Sequence, residues 1–171
     1  MRLLNGGYKQ WTGEDRPLAS GDEVVTGARF STRPHPEKIL TTEELIRNFD
    51  RIEEVNLIDA RDAARFRGEV EPIDPVAGHI PGTSSLPYTV SLRDDGTWKS
   101  RVELESLWRE VLGAEKKTAW SVMCGSGVTA CHLAISAMEV GYTEPRLYVG
   151  SWSEWIRDSA RPIGLGDARR T

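Results

Sequence analysis

The 171-residue chain holds only two cysteines, Cys124 and Cys131. Two thiols at that separation build neither a disulfide framework nor a zinc site, and a reducing, cytoplasmic setting is expected. No Cys-x-x-Cys is present, which removes thioredoxin-type redox chemistry. Basic blocks are missing too: 22 Lys and Arg stand against 26 Asp and Glu, for a net charge of −4, so no nucleic acid partner is expected. No apolar run approaches the ~20 residues that span a bilayer. The stretch from Met1 to Gly7 has no apolar core of the kind that marks a signal peptide, so no membrane partner is expected. Finally, no basic residue lies between Cys124 and Cys131. A phosphatase loop needs an arginine there to grip phosphoryl oxygens in pairs, and its usual place is taken by Ala130.

What is present is an ordinary globular composition, 39% hydrophobic and 28% charged, long enough for one domain with some extra. An internal repeat stands out. Arg2-Leu3-x-x-Gly6-x-x-x-x-Trp11 matches Arg146-Leu147-x-x-Gly150-x-x-x-x-Trp155 at the same spacing, and Arg16-Pro17-Leu18 echoes Arg161-Pro162-Ile163. Such repeats mark duplicated structural units. Only the tail of the first copy is here, so the chain is expected to open just before the end of a related preceding domain. From Ala19 to Leu40 the sequence reads as a linker with one β-prone piece, Val24 to Phe30.

The main domain is expected from about Thr41 to Gly166. Thr41 to Glu44 has the pattern of a capping box and predicts a helix to about Phe49. Val55 to Asp59 reads as a buried strand, Ala60 to Phe66 as a short helix, and Gly68 to Pro87 as a long loop rich in Pro and Gly. Ser100 to Glu103 is a second capping box, opening a helix whose Leu104, Leu107, Trp108 and Val111 keep helical spacing. Thr118 to Met123 reads as a strand, Val128 to Val140 as a buried helix, Leu147 to Val149 as a strand, and Ser151 to Arg157 as a last helix. Strands alternating with helices predict an α/β fold, a central mainly parallel sheet covered by helices on both faces. Sites in such folds form beyond the carboxyl ends of strands, where Asp59 and Cys124 stand.

Chemistry concentrates at Cys124-Gly125-Ser126-Gly127-Val128-Thr129. A cysteine follows a strand, a tight glycine loop comes next, and a helix starts near Val128. Loop N–H groups and the positive end of a helix would then face one sulfur and stabilise a thiolate. Cys124 is therefore the candidate nucleophile. Cys131, inside an apolar helix, is expected in the core. A papain-like pair would need His79 or His132 beside the thiol. His132 is expected on the buried helix and His79 as a hydrogen-bonded loop anchor. Thr129 is either a helix cap or a site residue.

Cys124 to Thr129 resembles the active-site loop of the rhodanese-like sulfurtransferases, in the 3-mercaptopyruvate form. So do Leu57-Ile58-Asp59-Ala60-Arg61, Arg65-Phe66-Arg67-Gly68-Glu69, Gly78-His79-Ile80-Pro81-Gly82 and Gly150-Ser151-Trp152-Ser153-Glu154-Trp155. The resemblance implies a rhodanese-like three-layer domain at 41–166, a linker at 21–40 and the remnant of a preceding rhodanese-like domain at 1–20. It implies sulfur transfer through a Cys124 persulfide, from mercaptopyruvate or thiosulfate to cyanide, a thiol or thioredoxin, with no cofactor and no metal. Gly125, Ser126, Gly127, Val128 and Thr129 would bind the anionic sulfur, and Arg65 the donor carboxylate, in bidentate fashion. Thiosulfate-type members carry two basic residues where Gly125 and Ser126 stand, so the uncharged loop favours mercaptopyruvate. The chain departs from the mercaptopyruvate pattern at Glu71-Pro72-Ile73-Asp74, where many members have a second arginine; Arg67 is the candidate substitute. Asp59 and Arg61 are expected to hold the loop structurally. Groups of the first domain help line the site in this family, so this chain alone is expected to turn over slowly or not at all, with an exposed sticky face. The alternative is a non-catalytic module that carries a persulfide or binds a partner.

Overall fold

The computed structural model describes residues 3–22, 27 and 29–167. In chain order the elements are α1 (Gly7–Gly13), β1 (Ile39–Leu40), α2 (Thr42–Arg47), α3 (Ile52–Val55), β2 (Leu57–Asp59), α4 (Ala63–Arg67), β3 (Ser84–Ser85), α5 (Arg101–Leu112), β4 (Ser121–Met123), α6 (Val128–Glu139), β5 (Arg146–Tyr148) and α7 (Ser151–Trp155). The strands form one sheet in the order β1-β5-β4-β2-β3, and every pairing is parallel. The expected α/β architecture is thus the observed one.

Alternation along the central strands explains the layers. Ile58 and Val122 pack against α5 and α6, with Leu104, Trp108, Leu133 and Ala137. Their neighbours Leu57 and Met123 point the other way, to Leu45, Ile52, Trp152 and Trp155. Period-2 strands with both faces apolar require a helical layer on each side.

The local signals hold where side chains can act as caps. Ser100 Oγ accepts the Glu103 N–H, and Glu103 Oε2 accepts the Ser100 N–H at 2.8 Å, a complete capping box that opens α5. Thr41 caps α2 through its hydroxyl, but Glu44 does not close the box; its carboxylate pairs with Arg146 of β5 instead. Asn56, in the left-handed region at φ 48°, ends α3, so the strand expected from Val55 starts at Leu57.

Three expectations are corrected. The loop from Gly68 to Pro87 contains a sheet edge, β3, whose Ser84 and Ser85 pair with Ile58 and Asp59. The linker contains another, β1. Cys131 is exposed and not in the core, its thiol donating to the Gly127 carbonyl at 3.2 Å. The inner face of α6 is made instead by Ala130, Leu133, Ser136 and Ala137. The β-prone piece Val24 to Phe30 lies mostly outside the described residues. Leu3 and Leu4 are exposed and belong to no strand.

The repeated segments share geometry as well as letters. Trp11 Nε1–H donates to the Pro17 carbonyl at 2.9 Å, and Trp155 Nε1–H to the Pro162 carbonyl at 2.9 Å. The Arg16 guanidinium lies 5.3 Å from the Trp11 ring, and that of Arg161 lies 5.8 Å from the Trp155 ring.

Candidate active site

β4 delivers Cys124 to the carboxyl edge of the sheet, next to the end of β2 at Asp59. The loop that follows is pinned from one side by α7. The Cys124 N–H donates to Ser151 Oγ at 3.2 Å, and the Cys124 carbonyl accepts the Trp152 N–H. The Gly125 carbonyl accepts both the Ser153 N–H and the Ser153 hydroxyl, at 3.0 and 2.7 Å. With the carbonyls taken up there, the N–H groups of residues 125–129 have no acceptor among the described residues. Unpartnered amides at the start of a 12-residue helix are an anion-binding arrangement.

Gly127 sets the turn. It is the residue before α6, at φ 81°, a region that favours glycine, and a Cβ there would lie 3.2 Å from the Val149 carbonyl oxygen. Its role is to shape the loop: it is buried and does not line the pocket.

Cys124 is 2% exposed and forms part of the wall of a pocket of about 190 Å³. Gly125, Ser126, Val128, Thr129, Arg65, Ile73, Asp74 and Ser153 complete the lining. The sequence candidates Arg65, Cys124, Gly125, Ser126, Val128 and Thr129 therefore meet in one place. Thr129 is no helix cap, since Gly127 holds that position and no side chain caps α6. Ile73, Asp74 and Ser153 were not among the candidates.

Arg65 sits beside the loop: a Cβ at Gly125 would lie 3.7 Å from each of its Nη atoms. The guanidinium is heavily engaged. Nε donates to Glu71 Oε1 and Oε2 at 2.9 and 3.1 Å, and Nη2 contacts Glu71 Oε1 at 2.6 Å and donates to Asp74 Oδ2 at 3.1 Å. The Nε–Nη2 edge is thus occupied, and Nη2 of the other edge is engaged as well. Nη1 has no hydrogen-bond partner among the described residues. Burial pushes the Glu71 carboxyl up, but Arg65 and the N–H groups of Asp74 and Ile73 outweigh it and hold its pKa below the ordinary carboxylate value. Arg67 cannot substitute in the pocket. It pairs with Glu69 at 2.7 Å and is absent from the lining.

Behind Arg65 lies a buried ion pair. The Arg61 guanidinium donates to Asp59 Oδ2 from Nε at 2.9 Å and from Nη2 at 2.7 Å, and to the Gly78 carbonyl at 2.6 Å. It stacks over Trp152 at 4.6 Å and reaches Glu71 at 3.5 Å. The pair is buried and stays outside the lining of the Cys124 pocket.

Neither histidine completes a cysteine–histidine pair. His79 stacks on Phe66 with centroids 3.8 Å apart and bonds its carbonyl at 2.9 Å. Burial pushes its pKa down. His132 sits edge-on to Tyr88 and Trp98. Neither lines the Cys124 pocket. Among the described residues no cluster of His, Cys, Asp and Glu could hold a metal, and no helix is long and apolar enough to cross a membrane.

The chain matches the model of the rhodanese-like domain over residues 41–158. It is 39% identical over 165 residues to a Pseudomonas aeruginosa protein named "Probable 3-mercaptopyruvate sulfurtransferase", covering 96% of this chain and 58% of that one. It is 32% identical over 156 residues to the thiosulfate sulfurtransferase of Gallus gallus, covering 91% and 53%. A solved structure of EanB with a cysteine persulfide and ergothioneine superposes with a TM-score of 0.80 at 25% identity, covering 96% of this chain and 41% of that one. The chain spans little more than half the length of the curated relatives it matches.

Proposed function

From the premise that this chain belongs to the rhodanese-like domain family, we propose that it is a sulfurtransferase working through a persulfide at Cys124. The observation that carries this is a cysteine in the wall of a small pocket whose rim is unpartnered backbone amide. A volume of about 190 Å³ suits a small donor better than a drug-sized ligand, for which about 300 Å³ is the lower bound.

In the first step the Cys124 thiolate attacks the outer sulfur of the donor. A sulfur–sulfur bond forms. Mercaptopyruvate loses its carbon–sulfur bond and leaves as pyruvate after taking up a proton; thiosulfate leaves as sulfite. In the second step a thiolate or cyanide attacks the outer sulfur and Cys124 departs as thiolate. The amides of Gly125, Ser126, Val128 and Thr129, which line the pocket, stabilise the anionic sulfur in both states, as fixed donors do at oxyanion sites. Ser126 and Thr129 add hydroxyls, and Arg65 offers Nη1 to a donor carboxylate. Thioredoxin is a fitting thiol acceptor, and a cytoplasmic setting supplies reduced thiols.

The shared tryptophan geometry supports residues 1–20 as the end of a preceding rhodanese-like unit, followed by a linker and a catalytic domain that starts at β1 and runs to about residue 166. First-domain groups would then complete the site, and this chain alone would turn over more slowly than a tandem protein.

Mass measurement after mixing with mercaptopyruvate or thiosulfate tests the reading. One added sulfur on the native chain, absent from Cys124→Ser, is expected. No adduct with either donor would refute the enzyme and favour a binding module.

A further inference from the structure

The Cys124 pocket holds two charges, and they oppose each other. Arg65 presents its Nη atoms 3.7 Å from a Cβ placed at Gly125, and Asp74 Oδ2 lies 3.9 Å from the same point. Asp74 is not free to swing away. Oδ2 pairs with Arg65 Nη2 at 3.1 Å, and Oδ1 accepts the Ser153 hydroxyl at 2.7 Å. Its side chain is only 9% exposed, so water screens it little. Glu71 takes the other edge of the same guanidinium. From core to pocket the charges run Asp59, Arg61, Glu71, Arg65, Asp74, alternating but ending on a carboxylate. Ile73, 75% exposed on the pocket rim, adds no cation.

We propose that Asp74 is the charge-selecting residue of this site. Its carboxylate offsets Arg65, so the pocket accepts donors carrying one negative charge or none and discriminates against each further charge. The proposal rests on the sulfurtransferase reading for its substrates, but the charge selection belongs to the pocket itself. A monoanionic carboxylate can use Nη1 and leave the Asp74 pair intact. A compact dianion has loop amides and Nη1 on one side and the Asp74 carboxylate on the other. One opposing charge about 6 Å away, partly screened, changes binding by about tenfold per unit of ligand charge.

The test uses alkylation of Cys124 by iodoacetate, an anion, and by iodoacetamide, its neutral counterpart, in a Cys131→Ser background because Cys131 is exposed. Asp74→Asn keeps the shape and a Ser153 acceptor. It should raise the iodoacetate-to-iodoacetamide rate ratio about tenfold, while Asp74→Glu returns the ratio towards the native value. In donor assays Asp74→Asn should raise kcat/KM for thiosulfate relative to mercaptopyruvate by a similar factor, mostly through KM. An unchanged ratio, or equal changes with both reagents, overturns the proposal. If native protein forms no persulfide while the alkylation ratio shifts, the sulfur-transfer reading falls and the charge selection stands. Should Asp74→Asn not fold, Ile73→Arg at the exposed rim reads the same charge balance from the cationic side: the ratio should rise, and no rise overturns the proposal.

Discussion

Replacing Arg61 by alanine isolates the ion pair that supports the site wall. The Arg61 side chain is 1% exposed and that of Asp59 is 0% exposed. In the variant, Asp59 keeps one hydrogen bond, from the Arg61 backbone N–H at 2.9 Å, and loses its guanidinium bonds from Nε and Nη2. The Gly78 carbonyl loses a 2.6 Å donor and Trp152 loses its stacked cation. Glu71 loses little, because its Arg61 contact is 3.5 Å while Arg65 and two backbone N–H groups remain. The cost therefore falls on Asp59, a buried charge with its partner removed, and breaking such a pair costs about 3–5 kcal/mol. Against a total stability of about 5–15 kcal/mol the chain stays folded but marginal. At about 2–4 °C per kcal/mol for a chain of this size, Tm should fall by about 6–20 °C. Urea unfolding followed by tryptophan fluorescence gives the difference, since Trp152 lies under the guanidinium. The double variant Asp59→Asn/Arg61→Met removes both charges and should recover most of the loss. A single-variant loss below about 1 kcal/mol, or no recovery in the double variant, would refute the assignment of the cost to an orphaned Asp59.

Two other outcomes follow from the geometry. Gly127→Ala forces a side chain into the left-handed region, at about 1–2 kcal/mol, with its Cβ 3.2 Å from the Val149 carbonyl. Denaturant unfolding should show that loss and iodoacetamide should label Cys124 at a changed rate; an unaltered rate would mean that the loop does not depend on this turn. Burial pushes both His79 and His132 below their ordinary pKa, so the unfolded chain takes up protons first. Their neutral-state stability is complete above about pH 6.5 and is lost as the pH falls below it. The urea midpoint should drop between pH 7 and pH 5.5, and drop less in His132→Phe; a flat midpoint contradicts this.

The middle of the fold was legible because its signals are local. Ser100 and Glu103 lie within one helical turn, so their reciprocal cap can be read from letters three apart. Leu57 to Asp59 and Ser121 to Met123 are short apolar runs bounded by turns, as buried parallel strands should be. The sheet edges were not legible for the opposite reason. Ser84 and Ser85 carry no apolar alternation and are strand only because β2 offers them backbone partners. Ile39 and Leu40 sit in a stretch rich in Pro and charge and are strand only because β5 lies alongside. Cys131 was misplaced because α6 is apolar almost throughout. Its composition gives burial on average but not by face, and Val128 at 71% and Met138 at 42% exposure share the outward side with Cys131.

At the pocket the same division decides what letters can show. The loop Cys124 to Thr129 is contiguous, so its amides and its missing cations could be read directly, and the missing cations support the proposed preference for a donor of low charge. The state of Arg65 could not be read, because it depends on which way residues 71–74 fold back. Glu71 turns that segment by accepting the N–H groups of Ile73 and Asp74 at 3.1 Å each, and this aims Asp74 at Arg65. The proposed preference thus rests on two independent observations: the loop lacks cations, and among the described residues the one guanidinium lining the pocket is already paired through Nε and Nη2. The two parts are also tied together. The Ser153 hydroxyl stands 2.7 Å from both Asp74 Oδ1 and the Gly125 carbonyl, and with one proton it donates well to only one of them at a time. The Ser153 hydroxyl thus links the acidic wall of the pocket to the loop around Cys124, and a substitution at Ser153 should disturb both.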